Sequence, residues 1–108
     1  MLRTKEQRDI LCRSCPIARV ANLLGDSCSL LILRDLLESP RRFSELEESL
    51  VGISTRTLTN KLKVLEREHL LHKTTPGKSA HVEYTLTTKG HGLRGIIKEM
   101  RAYGKKYL

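Results

Sequence analysis

The hydrophobic pattern of this chain changes period twice, and that change limits the folds open to it more than any other feature. From Pro16 to about His69, apolar residues recur every three to four positions. From Leu70 to Leu86 they alternate or fall in short runs, and from Leu93 to Tyr107 the three-to-four spacing returns. The first spacing marks amphipathic helices and the alternation marks half-buried strands. Pro16 suits a first helical position, where its missing N–H costs nothing, so a helix is expected from Ile17 to about Leu24 with Ile17, Val20, Ala21 and Leu24 inward. Gly25 stops it. Asp26 or Ser27 then caps a second helix whose Leu30, Leu31, Leu33, Leu36 and Leu37 form a wide apolar face, ended by Pro40. A short third helix covers about Phe43 to Leu50, with Phe43, Leu46 and Leu50 inward. Val51-Gly52-Ile53 reads as a turn in which Gly52 supplies a left-handed backbone, and Ser54 caps a fourth helix reaching about His69. Leu70 to Thr75 and His81 to Leu86 read as two strands around the turn residues Pro76-Gly77-Lys78-Ser79, with Val82, Tyr84 and Leu86 on one face of the second. Thr87 or Thr88 caps a final helix carrying Leu93, Ile96, Ile97, Met100, Tyr103 and Tyr107.

Helices, a hairpin and a last helix, with a short turn between the third and fourth helices, follow the winged helix-turn-helix order. The expected class is mainly α with a small β-hairpin (α+β). At 108 residues the chain is one domain's length, here read as a single unit over 1–108 with an N-terminal arm at 1–14 and a C-terminal helix at 88–108. Its longest apolar run, Leu30-Leu31-Ile32-Leu33, is far too short for a membrane span. Arg3, Lys5, Arg8 and Arg13 precede no apolar stretch, which is not a secretory signal, so a cytoplasmic protein without a membrane partner is expected.

The charge balance points to a partner. Twenty Lys and Arg against twelve Asp and Glu leave a net charge of +8, and such a surplus on a small domain suits a polyanion. The surplus is uneven, since residues 73–108 hold eight basic and two acidic side chains. Aromatic residues are only 4% of the chain and none is Trp, which argues against single-strand binders that stack bases on aromatic platforms. Double-stranded DNA is the better polyanion.

The fourth helix carries the face that would read it. At about 100° per residue Leu58, Leu62 and Leu65 cluster on one side, and Arg56, Asn60, Lys63 and Arg67 fall directly opposite. Thr57 and Thr59 lie on the flanks, with Ser54 and Thr55 at the helix start. Arg can pair with guanine O6 and N7, Asn with adenine N6 and N7, and Thr can hydrogen-bond or touch a thymine methyl. Lys63 and Arg67, further along the helix, suit phosphates. The expected DNA-binding set is therefore the recognition helix 54–68 with Ser54, Thr55, Arg56, Thr57, Thr59, Asn60, Lys63 and Arg67. The wing, 74–81 with Lys73 at its root, adds Lys73, Lys78 and His81 for backbone or minor-groove contact.

Taken in order, several segments form a specific set. They are Cys15-Pro16, Leu30-Leu31-Ile32-Leu33-Arg34-Asp35-Leu36, Pro40-Arg41-Arg42-Phe43-Ser44-Glu45-Leu46 and Gly52-Ile53-Ser54. Leu58-Thr59, Leu62, Leu65-Glu66, Val82-Glu83-Tyr84-Thr85-Leu86-Thr87 and Gly90 complete it. On these residues the chain resembles the HxlR-type winged helix-turn-helix transcriptional regulators from Cys15 onward. The resemblance implies a homodimer that binds a palindromic operator through the fourth helix and the wing, pairing through its N-terminal segment and last helix. It departs from the family where Gly-Lys-Trp is usual, reading Gly25-Asp26-Ser27-Cys28, so that Cys28 stands at the tryptophan position. That exchange leaves room in the core or changes the dimer contact. The wing is about a residue short, and His81 stands where Arg is common.

Cys12, Cys15 and Cys28 are an odd number of thiols, as suits a reducing compartment. Cys12 and Cys15 have C-x-x-C spacing without a second such pair, so a structural zinc site lacks half its ligands. Some members of the resembled family sense oxidants or electrophiles through the cysteine that matches Cys15. Here a helix start with Arg13 and Arg19 nearby suits a reactive thiol, with Cys12 or the other subunit as resolving partner. Cys28 is expected in the core. His69, His72, His81 and His91 are scattered, no nucleophile–base–acid set stands out, and Pro76-Gly77-Lys78-Ser79 lacks the first glycine of a P-loop. No enzyme, metal or cofactor is expected. Two other readings compete: a MarR-like regulator gated by a small molecule, and a winged-helix module that packs on protein instead of DNA.

Overall fold

The computed structural model describes residues 4–7, 15–75 and 81–108. Helix α1 (Pro16–Leu23) starts from an extended Cys15, with Pro16 in the first turn, and α2 (Ser27–Glu38) follows at a bend of 87°. Asp26 caps α2 by accepting the Ser29 N–H at 2.8 Å. A two-residue strand β1 (Arg41–Arg42) leads straight into α3 (Phe43–Ser49), where the Arg42 N–H donates to the Glu45 carboxylate at 2.9 Å. That bond is the main reason the Glu45 carboxyl titrates below its ordinary value. Desolvation opposes it, and the charges of Arg42 and Arg41 add to it. Then come α4 (Thr55–Arg67), β2 (Leu71–Thr74), β3 (Glu83–Leu86), α5 (Thr88–His91) and α6 (Arg94–Tyr107). No single helix among the described residues is long and apolar enough to cross a membrane.

The sheet is antiparallel in the order β1-β3-β2, with Arg41 opposite Tyr84 and Leu71 opposite Leu86. The expected two-stranded hairpin is thus a three-stranded sheet. Arg41–Arg42 shows no alternation and no β-branched residue, so only its pairing with β3 makes it a strand. Both hairpin strands are shorter than the sequence suggests, and Val82, outside β3, is 46% exposed instead of sharing the inward face of Tyr84 and Leu86. The segment 88–108 is two helices, not one. Thr87 caps α5 by accepting the Gly90 N–H, the chain breaks at Gly92 and Leu93, and α6 starts afresh.

Ile32, Leu33, Leu46, Leu58, Leu65, Leu70 and Leu71 are almost wholly buried and bind α2, α3, α4 and the sheet into one core. The inward face of α2 centres on Ile32, Leu33 and Leu36, and Leu31 is 37% exposed, a rotation of the expected face. On α1 the correction is larger. Ile17 is 78% exposed, Ala21 is exposed, Val20 and Leu24 are half-buried, and the helix has no buried residue. The core is already closed by α2–α4, the sheet, and Leu93 and Ile97 at the start of α6, so the apolar side of α1 lines a groove instead. Pro16, Ile17, Val20, Leu30, Ile96 and Met100 are among the walls of this groove of about 520 Å³, between α1, α2 and α6.

Candidate nucleic-acid interface

Helix α4 is held from both ends and from below. Ser54 caps it, its hydroxyl oxygen accepting the Thr57 N–H at 3.0 Å. The turn before it is fixed by the Ile53 N–H donating to the Leu50 carbonyl at 3.0 Å, with Gly52 at φ +91° as its sequence position suggests. Leu58, Leu62 and Leu65 anchor the helix in the core. Lys61 Nζ reaches Asp26 Oδ2 at 3.0 Å and ties the middle of α4 to the cap of α2. Burial alone would raise the Asp26 pKa, but the Ser29 N–H and Lys61 outweigh it and hold the carboxyl below its ordinary value. Beyond the helix, His69 takes the left-handed conformation at φ +61° and turns the chain into β2.

On the side away from the core, Arg56, Asn60, Lys63 and Arg67 are all exposed. Among the described residues none of the four has a hydrogen bond or ion pair to another side chain. They form a stripe about 17 Å long, the four positions lying eleven helical steps apart from first to last. The hydroxyls expected beside them are differently employed. Ser54 and Thr57 bond each other at 2.9 Å, Thr55 donates to Glu47 of α3 at 2.9 Å, and Thr59 donates back to the Thr55 carbonyl at 2.8 Å. Ser54 and Thr55 thereby shape the helix start and its tie to α3. Lys73 is exposed on β2 opposite Tyr84, and His81 is exposed just before β3. Lys78 and the wing tip at 76–80 lie outside the described residues, as does Cys12.

Nothing local in the sequence singles out Lys61. It lies on the edge of the apolar face, and its partner is 35 residues away, so no short spacing reveals the pair. Cys28, expected in the core, is half-buried. It lines an open cleft of about 660 Å³ together with Ser27, Leu31, Arg34, Ser54 and Thr57, between α2 and the start of α4. A small side chain there leaves the cleft unfilled. Among the described residues no group of three or more His, Cys, Asp or Glu could hold a metal ion.

A caged, amphipathic second helix of a helix-turn-helix, with a three-stranded sheet whose β2 and β3 follow it, defines a winged helix-turn-helix protein. The HxlR-like helix-turn-helix family model matches residues 23–108, and the chain belongs to that family of transcriptional regulators. It is 36% identical to sll1512, an uncharacterised HTH-type transcriptional regulator of Synechocystis sp., over 87% of this chain and 70% of that protein. It is 35% identical to the HTH-type transcriptional regulator YodB of Bacillus subtilis, over 86% and 85%. The reduced form of YodB superposes with a TM-score of 0.74, covering 86% of this chain and 93% of that one, and YodB is also known in diamide-treated and quinone-bound forms. The redox regulator HypR in its reduced form gives a TM-score of 0.78 at 25% identity, covering 84% and 91%.

Proposed function

We propose that this regulator binds a palindromic duplex operator as a homodimer, reading bases with Arg56 and Asn60 and gripping phosphates with Lys63 and Arg67. The observation that carries this reading is the unpaired, solvent-facing stripe on a helix anchored by Leu58, Leu62 and Leu65, by its Ser54 cap and by Lys61. Arg and Asn are the two residue types that pair bidentately with guanine and adenine in the major groove. Lys73, Lys78 and His81 of the wing add backbone contacts. A dimer covers the apolar groove of α1, α2 and α6, which continues into the exposed Met100, Tyr103 and Tyr107 of α6.

The regulator responds to oxidants or electrophiles through Cys15. Its thiol is free and half-buried at the start of α1, directly before the groove-lining Pro16 and Ile17. Reduced and diamide-treated YodB, and HypR in reduced and oxidised forms, support this reading. Fluorescence anisotropy on fragments from around the gene, at two salt concentrations and before and after mild peroxide, tests both parts. Tight, salt-sensitive binding to one palindromic fragment, released by peroxide, is expected. Equal weak binding to every fragment refutes operator recognition, and binding that peroxide leaves unchanged refutes the switch.

A further inference from the structure

The recognition helix leaves most of the C-terminal surplus of charge without a task. On α6, Arg94, Lys98, Arg101 and Lys105 follow one another at spacings of four, three and four, which puts them within about 60° of one another around the helix and spreads them over about 17 Å of its length. All four are exposed. Ile96, Met100, Tyr103 and Tyr107 lie on the opposite side, and Glu99, the one acidic residue of α6, falls outside the stripe. Among the described residues none of the four cations has an ion pair or side-chain hydrogen bond. Their arrangement works against the helix. Each neighbour in the row is a like charge at helical spacing, and Arg94 stands in the first turn, where the helix dipole repels a cation. An anionic partner removes both penalties.

We propose that this face of α6 is a second polyanion surface, which grips the phosphate backbone of duplex DNA outside the half-site covered by α4. The stripe contains no aromatic or apolar anchor, which a protein partner would need for a stable contact. A row of cations alone is what sequence-independent phosphate binding uses. The proposal extends the operator-binding reading: α4 selects the sequence, and α6 adds affinity for neighbouring DNA whatever its sequence.

The test is the salt dependence of binding to mixed-sequence duplexes of two lengths, one just long enough for the α4 contacts and one about 40 base pairs long. It compares the full chain with the R94Q/K98Q/R101Q/K105Q variant. Glutamine keeps the helix propensity, and circular dichroism confirms the fold. On the long duplex the slope of log K against log salt is expected to fall by roughly 0.9 for each phosphate the variant no longer neutralises, about 3 to 4 per protomer when all four cations are engaged. On the short duplex it should stay as in the parent. An unchanged slope on both lengths overturns the proposal, and an equal fall on both overturns the placement outside the half-site. Lys63→Ala separates the two ideas, since it should lower the slope by about one on both lengths. If Lys63→Ala changes nothing while the α6 variant does, the α4 reading fails and the α6 surface stands. A parent chain that binds neither duplex refutes both.

Discussion

Replacing Gly90 with alanine sets a methyl group against backbone that has no room to retreat. A Cβ on Gly90 would fall inside contact distance of the Leu70 carbonyl oxygen, 3.2 Å from the Leu70 carbonyl carbon and 3.0 Å from Leu86 Cδ2. Leu86 can adjust a rotamer, but the Leu70 carbonyl cannot. It accepts the Thr87 N–H at 3.0 Å, and the Leu70 side chain is fully buried. Helix α5 must therefore lift by about 1 Å, opening close packing at the root of the sheet. Overpacking costs about 1–3 kcal/mol, and a clash with backbone belongs at the upper end. The gain from alanine in a helix returns about 0.5–1 kcal/mol, so the net loss is about 2 kcal/mol or slightly more. For a chain of this length that lowers Tm by roughly 10–15 °C. Gly95 is the control. A Cβ there meets nothing, so Gly95→Ala should raise Tm by a few degrees through helix propensity alone. Thermal melts followed by circular dichroism at one protein concentration read both variants. If Gly90→Ala melts within about 2 °C of the parent, close packing of α5 on Leu70 is not what requires glycine.

Arg56→Ala and Asn60→Ala should each weaken operator binding by roughly 1–3 kcal/mol and relax base preference, measured by anisotropy on operator variants; parent-like binding by both moves the reading face elsewhere. Asp26→Ala removes a cap and the Lys61 pair, and denaturant melts should show a loss of about 1–2 kcal/mol. Because the folded-state pKa of Asp26 is depressed, its contribution is complete above the unfolded value of about 3.8 and is lost as pH falls through the lower folded value. The stability difference between parent and Asp26→Ala should therefore be constant from pH 5 to 7 and shrink only below about pH 4. Gly52→Ala forces a methyl-bearing residue to φ +91° and should cost about 1–2 kcal/mol in the same melts. Cys15→Ser should keep reduced-state binding and abolish the peroxide response, and a retained response places the sensor at another thiol.

The order of the first four helices, the cap at Ser54, the caps narrowed to Asp26 or Ser27 and to Thr87 or Thr88, and the left-handed Gly52 are legible in the sequence because each is a local decision. A cap needs a hydroxyl or carboxylate three residues before its donor, and a left-handed turn position favours a residue without a Cβ. The stripe on α4 is legible for the same reason, as a question of angle around one helix. What the sequence hides is non-local. Arg41–Arg42 becomes a strand only because β3 arrives beside it, and Lys61 becomes an anchor only because α2 begins next to it. Helical spacing shows that α1 has an apolar side, but not what that side meets. Ile17 and Ala21 repeat like core residues and yet face outward, because the residues that close the core come from α2, α3, α4, the sheet and the start of α6.

The outward apolar side of α1 connects the two halves of the proposed function. A palindromic operator presents half-sites about one helical turn apart, and one chain has a single α4, so recognition of both depends on how two chains are held together. The groove that a second chain would cover is walled by Pro16 and Ile17, the residues directly after Cys15. A group added to that thiol, or a bond drawn from it, enters the edge of the pairing surface and not the reading face. It need not touch Arg56 or Asn60 to release DNA, because shifting one α4 against the other is enough to lose the second half-site. On this reading the reduced and oxidised regulator differ in the spacing of two unchanged reading faces, so oxidation should weaken binding to the full palindrome far more than to a single half-site.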